Sequence, residues 1–171
     1  MTIKGALEVQ PVAFLHWLET TPPALFVSQG IFGFSALDMV HIGAICVVFG
    51  MIAVVDLRLL GVASKDCAVT DICRQALPWT WAAFAIAAFT GVLMFTGQAV
   101  KYYGNYAFRM KLLLLLAAGI NMLVFQYITY RGVAKWDRAA VPASARLAGA
   151  ISLGCWIAVV VYGRLTAYYM F

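Results

Sequence analysis

The run from Ser35 to Gly61, SALDMVHIGAICVVFGMIAVVDLRLLG, leaves this chain little choice of environment. A helix of about 20 apolar residues spans the roughly 30 Å hydrocarbon core of a bilayer, and this run is long enough. It is not uniformly apolar: His41 sits near one end and Asp56-Leu57-Arg58 at the other. Ionisable groups inside such a segment are expensive and usually face protein or water, so each poses a functional question. His41 poses the main one.

Composition supports the same environment. Of 171 residues, 64% are hydrophobic and only 11% charged, and the mean hydropathy is +0.91. A soluble domain of this size would need a more polar outside. The expected fold is therefore all-α, an integral membrane four-helix bundle with an N-terminal interfacial amphipathic helix. Residues 1–34 form the interfacial segment and 35–171 the bundle, with spans at about 36–61, 77–98, 107–130 and 147–169. In the first segment, Pro11 opens a short helix, PVAFLHWLET, which Pro22-Pro23 ends and whose Trp17 sits at headgroup depth. Residues 24–34 are apolar but too short and too Gly-interrupted to span. Glu19 and the two prolines also break the first apolar stretch, so no cleavable leader is expected.

Local signals set the expected boundaries. Ser35 and Asp38 form a capping-box-like pair at the start of the first span, and Pro78 takes the first-turn position of the second. The short loop KYYGNY leads to the third span, and the basic connection RGVAKWDRAAVPASAR to the fourth. Small residues recur every four positions at Ala83, Ala87 and Gly91, and again at Ala150, Gly154 and Ala158. Such stripes let helix backbones approach, and both are assigned to contacts within the bundle.

The net charge of +5 reads as loop charge near lipid headgroups, not as a nucleic-acid surface. Lys65, Arg74, Arg131, Lys135, Arg138 and Arg146, with Arg58 at their edge, fall on one side. Lys4, Lys101, Arg109, Lys111 and Arg164 fall on the other. This bias predicts cytoplasmic long loops and both termini outside. The four cysteines form no CxxC pair and no zinc pattern. No Walker loop, dinucleotide fingerprint, nucleophile elbow or HExxH motif is present.

Four antiparallel spans bring His41, Met94, Arg109, Lys111 and Arg164 to similar depth at one end, with Lys101 in the loop above. Two readings of His41 stand open: ligation of haem iron, or a hydrogen bond within the bundle. In the first, Lys101, Arg109, Lys111 and Arg164 meet the haem propionates, and Met94 or His16 is the candidate second ligand. Lys111 and Arg109 have the alternative of snorkelling to headgroups. Asp38 lies three residues from His41, where it either orients the ring or caps the helix. Asp56, about 22 Å along the helix from His41, is expected to pair with Arg74, Arg131 or Arg146. Asn121 is expected to hydrogen-bond across the bundle.

The combination WLETTP, His41 leading into DLRLLG, LPWTWAAF with Gly91, and YYGNYAFRMKLLLLLAAGIN resembles a family of small bacterial four-helix membrane proteins of unknown function. More distantly, a first-helix histidine followed by a lysine entering a later helix is similar to the copper-resistance-protein-D and HemJ-type membrane proteins. That resemblance implies haem b, with His41 as ligand and Lys111 as the cation facing the porphyrin. The leading expectation is thus a haem-b protein in electron transfer, exchanging electrons with a quinone or another partner. The alternatives are a non-catalytic accessory subunit and a small transporter or copper-handling protein. Expected associations are the lipid bilayer and either further copies of the chain or a larger membrane complex.

Overall fold

The computed structural model describes residues 12–30, 32–137 and 140–169. Lys4, Pro11 and Arg138, assigned above to loop charges and a helix start, lie outside them. Every regular element among the described residues is helical. Helix α1 covers residues 12–19 and α2 Pro22–Gln29. The long helices are α3 (Gly33–Leu60), α4 (Val69–Gly97), α6 (Tyr106–Val124) and α7 (Ala143–Tyr168), with a short α5 (Ala99–Gly104) before α6. Helix α6 continues through a π turn (Phe125–Thr129) and a 3-10 turn (Tyr130–Lys135). Counting that extension, four helices of 26 to 30 residues are long and apolar enough to cross a membrane.

Helix α3 is the spine. It packs most extensively on α4 and then on α7, while α6 packs on α7. Helices α4 and α6 share far less close backbone contact than α3 and α4; large side chains bridge them, with Phe95 stacked on Phe108 at 5.7 Å. All four contribute to one core cluster, Val48, Ala83, Ala118, Trp156 and Val159. A second cluster, Leu59, Val69, Cys73, Val141 and Ala145, closes the end that carries the long connections, here termed the loop end. On α3 the inward positions 41, 44, 48, 52, 56 and 59 follow the helical repeat. Gly61 ends the helix in the left-handed region, at φ 71°, where a side chain would be strained.

The helix ends differ from the sequence expectations, and remote contacts explain how. Helix α3 begins at Gly33 with Phe32 at its cap and no side-chain cap, so Ser35 and Asp38 lie inside it and form no capping box. Pro22-Pro23 follow α1 as expected, but they also occupy the opening positions of α2. The run after them is thus a helix that packs on α4, with Ala24 and Val27 buried. Pro78 lies inside α4 and does not open it. That helix starts nine residues earlier because Asp137, from the connection before α7, supplies the cap. Its Oδ1 accepts from Thr70 N at 2.9 Å and its Oδ2 from Thr70 Oγ1 at 2.6 Å.

Two further corrections concern faces. Ala83, Ala87 and Gly91 turn toward α3, but Ala150 and Gly154 on α7 face outward. The inward face of α7 is Ala145, Gly149, Trp156 and Val159. Arg74, Arg131 and Arg146 are exposed, and none forms an ion pair with Asp56. The buried cation is Arg58, 3% exposed, which donates to Cys67 O at 2.9 Å and Asp137 O at 3.3 Å. It ties both connections at the loop end to α3. Asn121 does bond across the helices, donating to Ala148 O at 3.0 Å.

Hydrogen bonds from a charged donor are each worth about 1.5–3 kcal/mol. Arg58→Met should therefore lower stability by roughly 3 kcal/mol, seen as a fall in Tm in detergent. The exposed Arg131→Met should leave Tm unchanged. Equal effects would contradict the role given to Arg58.

Candidate functional site

The end of the helix assembly opposite the loop end is closed by groups from five elements, α1, α4, α5, α6 and α7. Glu19, just after α1's apolar residues, accepts from Val100 N at 3.0 Å and so caps α5 from 81 residues away. Asn105 caps α6, accepting from Phe108 N at 3.2 Å, and its amide donates to Thr166 O on α7 at 3.2 Å. Phe95, Tyr102 and Phe108 form a ring cluster across the gap between α4 and α6, with centroids 5.0 to 6.1 Å apart. Burial, with the Asp38 carboxylate nearby, pushes the Tyr102 phenol above its ordinary value.

Beneath this closure lies His41. Its Nδ1 is 2.9 Å from Thr90 Oγ1 on α4. The Thr90 hydroxyl has one proton, and it is directed to the Ile86 carbonyl at 2.8 Å. With that proton on the carbonyl, the hydroxyl oxygen accepts from Nδ1–H, and the Ala87 carbonyl is a further hydrogen-bond partner of the ring. The ring packs on Gly91, where a Cβ would come within 3.0 Å of Cε1. Thr90 anchors the ring and Gly91 makes the room.

Lys111 enters the same region from α6 and lies within electrostatic reach of both His41 and Asp38. Its stem runs beside Gly163 of α7, whose Cβ position would be 3.8 Å from Nζ. His41, Lys111 and Asp38 are therefore drawn together, as their depths implied. Asp38 neither caps α3 nor holds the imidazole, because Thr90 takes the Nδ1 position. Met94 is buried one turn beyond Thr90 on the same face of α4. Lys101, Arg109 and Arg164 are exposed and do not join the group. His16 is also outside it, with its side chain 64% exposed and Nδ1 3.8 Å from Glu19.

Thr90 and Gly91 are the residues that sequence reasoning left out of this site. The signal was available. His41 is eight residues from the start of α3 and Thr90 seven from the end of α4, which puts them level on antiparallel neighbours. Among the described residues, no group of three or more His, Cys, Asp or Glu side chains is placed to hold a metal ion.

One family model spans residues 11–169 of the sequence. The chain belongs to DUF6644, a family of unknown function. No curated protein and no solved structure matches it. Membership assigns no activity to the chain.

Because Gly91 faces the imidazole, Gly91→Ala should overpack the contact and cost about 1–3 kcal/mol. Gly43→Ala is the control: its Cβ would meet open space, so helix propensity should make it neutral or stabilising by up to about 1 kcal/mol. Thermal unfolding of both variants in the same detergent measures the difference. Equal losses would show that the ring is not seated on Gly91.

Proposed function

We propose that this chain is a haem-b-binding membrane protein of electron transfer, with His41 Nε2 as the axial donor. The observation that carries this reading is the bond between His41 Nδ1 and Thr90 Oγ1. An imidazole anchored through one nitrogen presents the other in a fixed direction, which is what an iron ligand requires. The donor chemistry fits haem: an imidazole anchored through Nδ1, with small residues at Ala87 and Gly91 beside the ring. The side between α4 and α6, bridged chiefly by large side chains, suits a flat apolar group.

In that reading Lys111 supplies a cation for a propionate, by a charge-assisted hydrogen bond. Lys101, Arg109 and Arg164 serve the rim, where they meet headgroups or a partner. Met94 is the better-placed second ligand, since His16 faces outward. Bound haem would supply a one-electron couple, tuned by its ligands and by the Lys111 charge. The distant resemblance to HemJ-type and copper-resistance-protein-D membrane proteins points the same way. Electrons would pass to a quinone or to a partner at the termini face, with both termini periplasmic in a bacterial inner membrane.

A second reading, an accessory subunit in a larger complex or a homo-oligomer, is favoured by the outward glycines. Gly43 and Gly50 on α3 and Gly154 on α7 meet nothing within 4 Å, and glycine on an outer face admits a neighbouring helix.

An absorbance spectrum of the detergent-purified protein, from cells with ample haem supply, separates the two. Haem binding gives a Soret band, with α and β bands that sharpen on dithionite reduction. His41→Ala should abolish them and His16→Ala should leave them in place. A colourless protein that co-purifies with a larger complex would replace the first reading with the second.

A further inference from the structure

At the loop end, about 22 Å along α3 from His41 by helical rise, Asp56 is only 4% exposed. Its Oδ2 is fully buried and has no hydrogen-bond partner. The cation nearest in sequence, Arg58, is committed to the carbonyls of Cys67 and Asp137. Helix α7 approaches here through Gly149, where a Cβ would meet Asp56 O at 3.2 Å, and presents Ser152 to the carboxyl. Helix α4 presents the buried Cys73 thiol. Farther toward the loop end, Asp137 and Tyr130 each lie within electrostatic reach of Cys73. No cation among these groups compensates a carboxylate.

An ionised carboxyl lodged without a counter-charge is heavily disfavoured in a low-dielectric interior, and such a group neutralises instead. Nor does packing demand an acid here, since the isosteric Asn would fill the same space. We propose that Asp56 is a proton-binding site, which holds a proton on its carboxyl and exchanges it with water at the loop end past Cys73, Tyr130 and Asp137. Uptake forms an O–H bond on the carboxyl at the expense of one hydronium ion, and release returns that proton to water. The site does not depend on haem at His41.

Infrared spectroscopy of the protein reconstituted in liposomes tests the proposal, with Asp56→Asn as the variant. Wild type should show a protonated-carboxyl C=O band at neutral pH that is absent from D56N. The band should shift in D2O and vanish on alkaline titration. Identical wild-type and D56N spectra, or a band that neither shifts in D2O nor titrates, would overturn it. Should D56N fail to fold, 13C-aspartate labelling of wild type gives the second arm. An isotope-shifted band that moves in Ser152→Ala supports the site, and a band absent or unmoved overturns it.

Discussion

Close approach of α3 to its two neighbours is the constraint on which the rest of the structure depends. Lipid tails are as apolar as leucine, so helices in a bilayer gain from tight packing and hydrogen bonds more than from excluding water. Gly91 on α4 and Gly149 on α7 make that packing local and specific. A Cβ at either position would come within 3.0 Å of His41 or 3.1 Å of Leu59. These two contacts fix the rotation of α3, and that rotation turns His41 and Asp56 inward at opposite ends.

The two inward groups are treated differently. His41 is held by Thr90 through one nitrogen, in company with Lys111. Asp56 is enclosed but unbonded at one oxygen, while Arg58 beside it spends its donors on the connections. Rigidity and chemistry are thus separated along one helix. Arg58 and Asp137 brace the loop end, and Glu19, Asn105 and the aromatic cluster brace the other. Between α4 and α6 the bracing is chiefly by side chains.

Much of this was legible in the sequence because hydropathy and residue counting report depth. The four spans, the level placement of His41 with Lys111, and the Asn121 bond all follow from depth alone. Rotation about each helix does not. Arg109 and Lys111 are two residues apart, which is about 200° around a helix, so they cannot both face inward. The structure turns Lys111 in and leaves Arg109 out. The offset between the expected stripe Ala150-Gly154 and the actual face Ala145-Gly149 has the same origin. Helix ends failed for another reason: Asp137 and Glu19 supply caps from 67 and 81 residues away, beyond any local motif. Membership in DUF6644 agrees with the sequence resemblance and leaves the chemistry to the site itself.

The central claim is that His41 offers an unprotonated Nε2 while Thr90 holds the proton on Nδ1. The chain has only two histidines, so 15N-histidine NMR of haem-free protein gives two ring spin systems, and His16→Ala assigns them. The account expects His41 as a neutral ring protonated at Nδ1, converted to the other tautomer or a mixture by Thr90→Val. A ring protonated at Nε2 in wild type, or one indifferent to Thr90→Val, would contradict it.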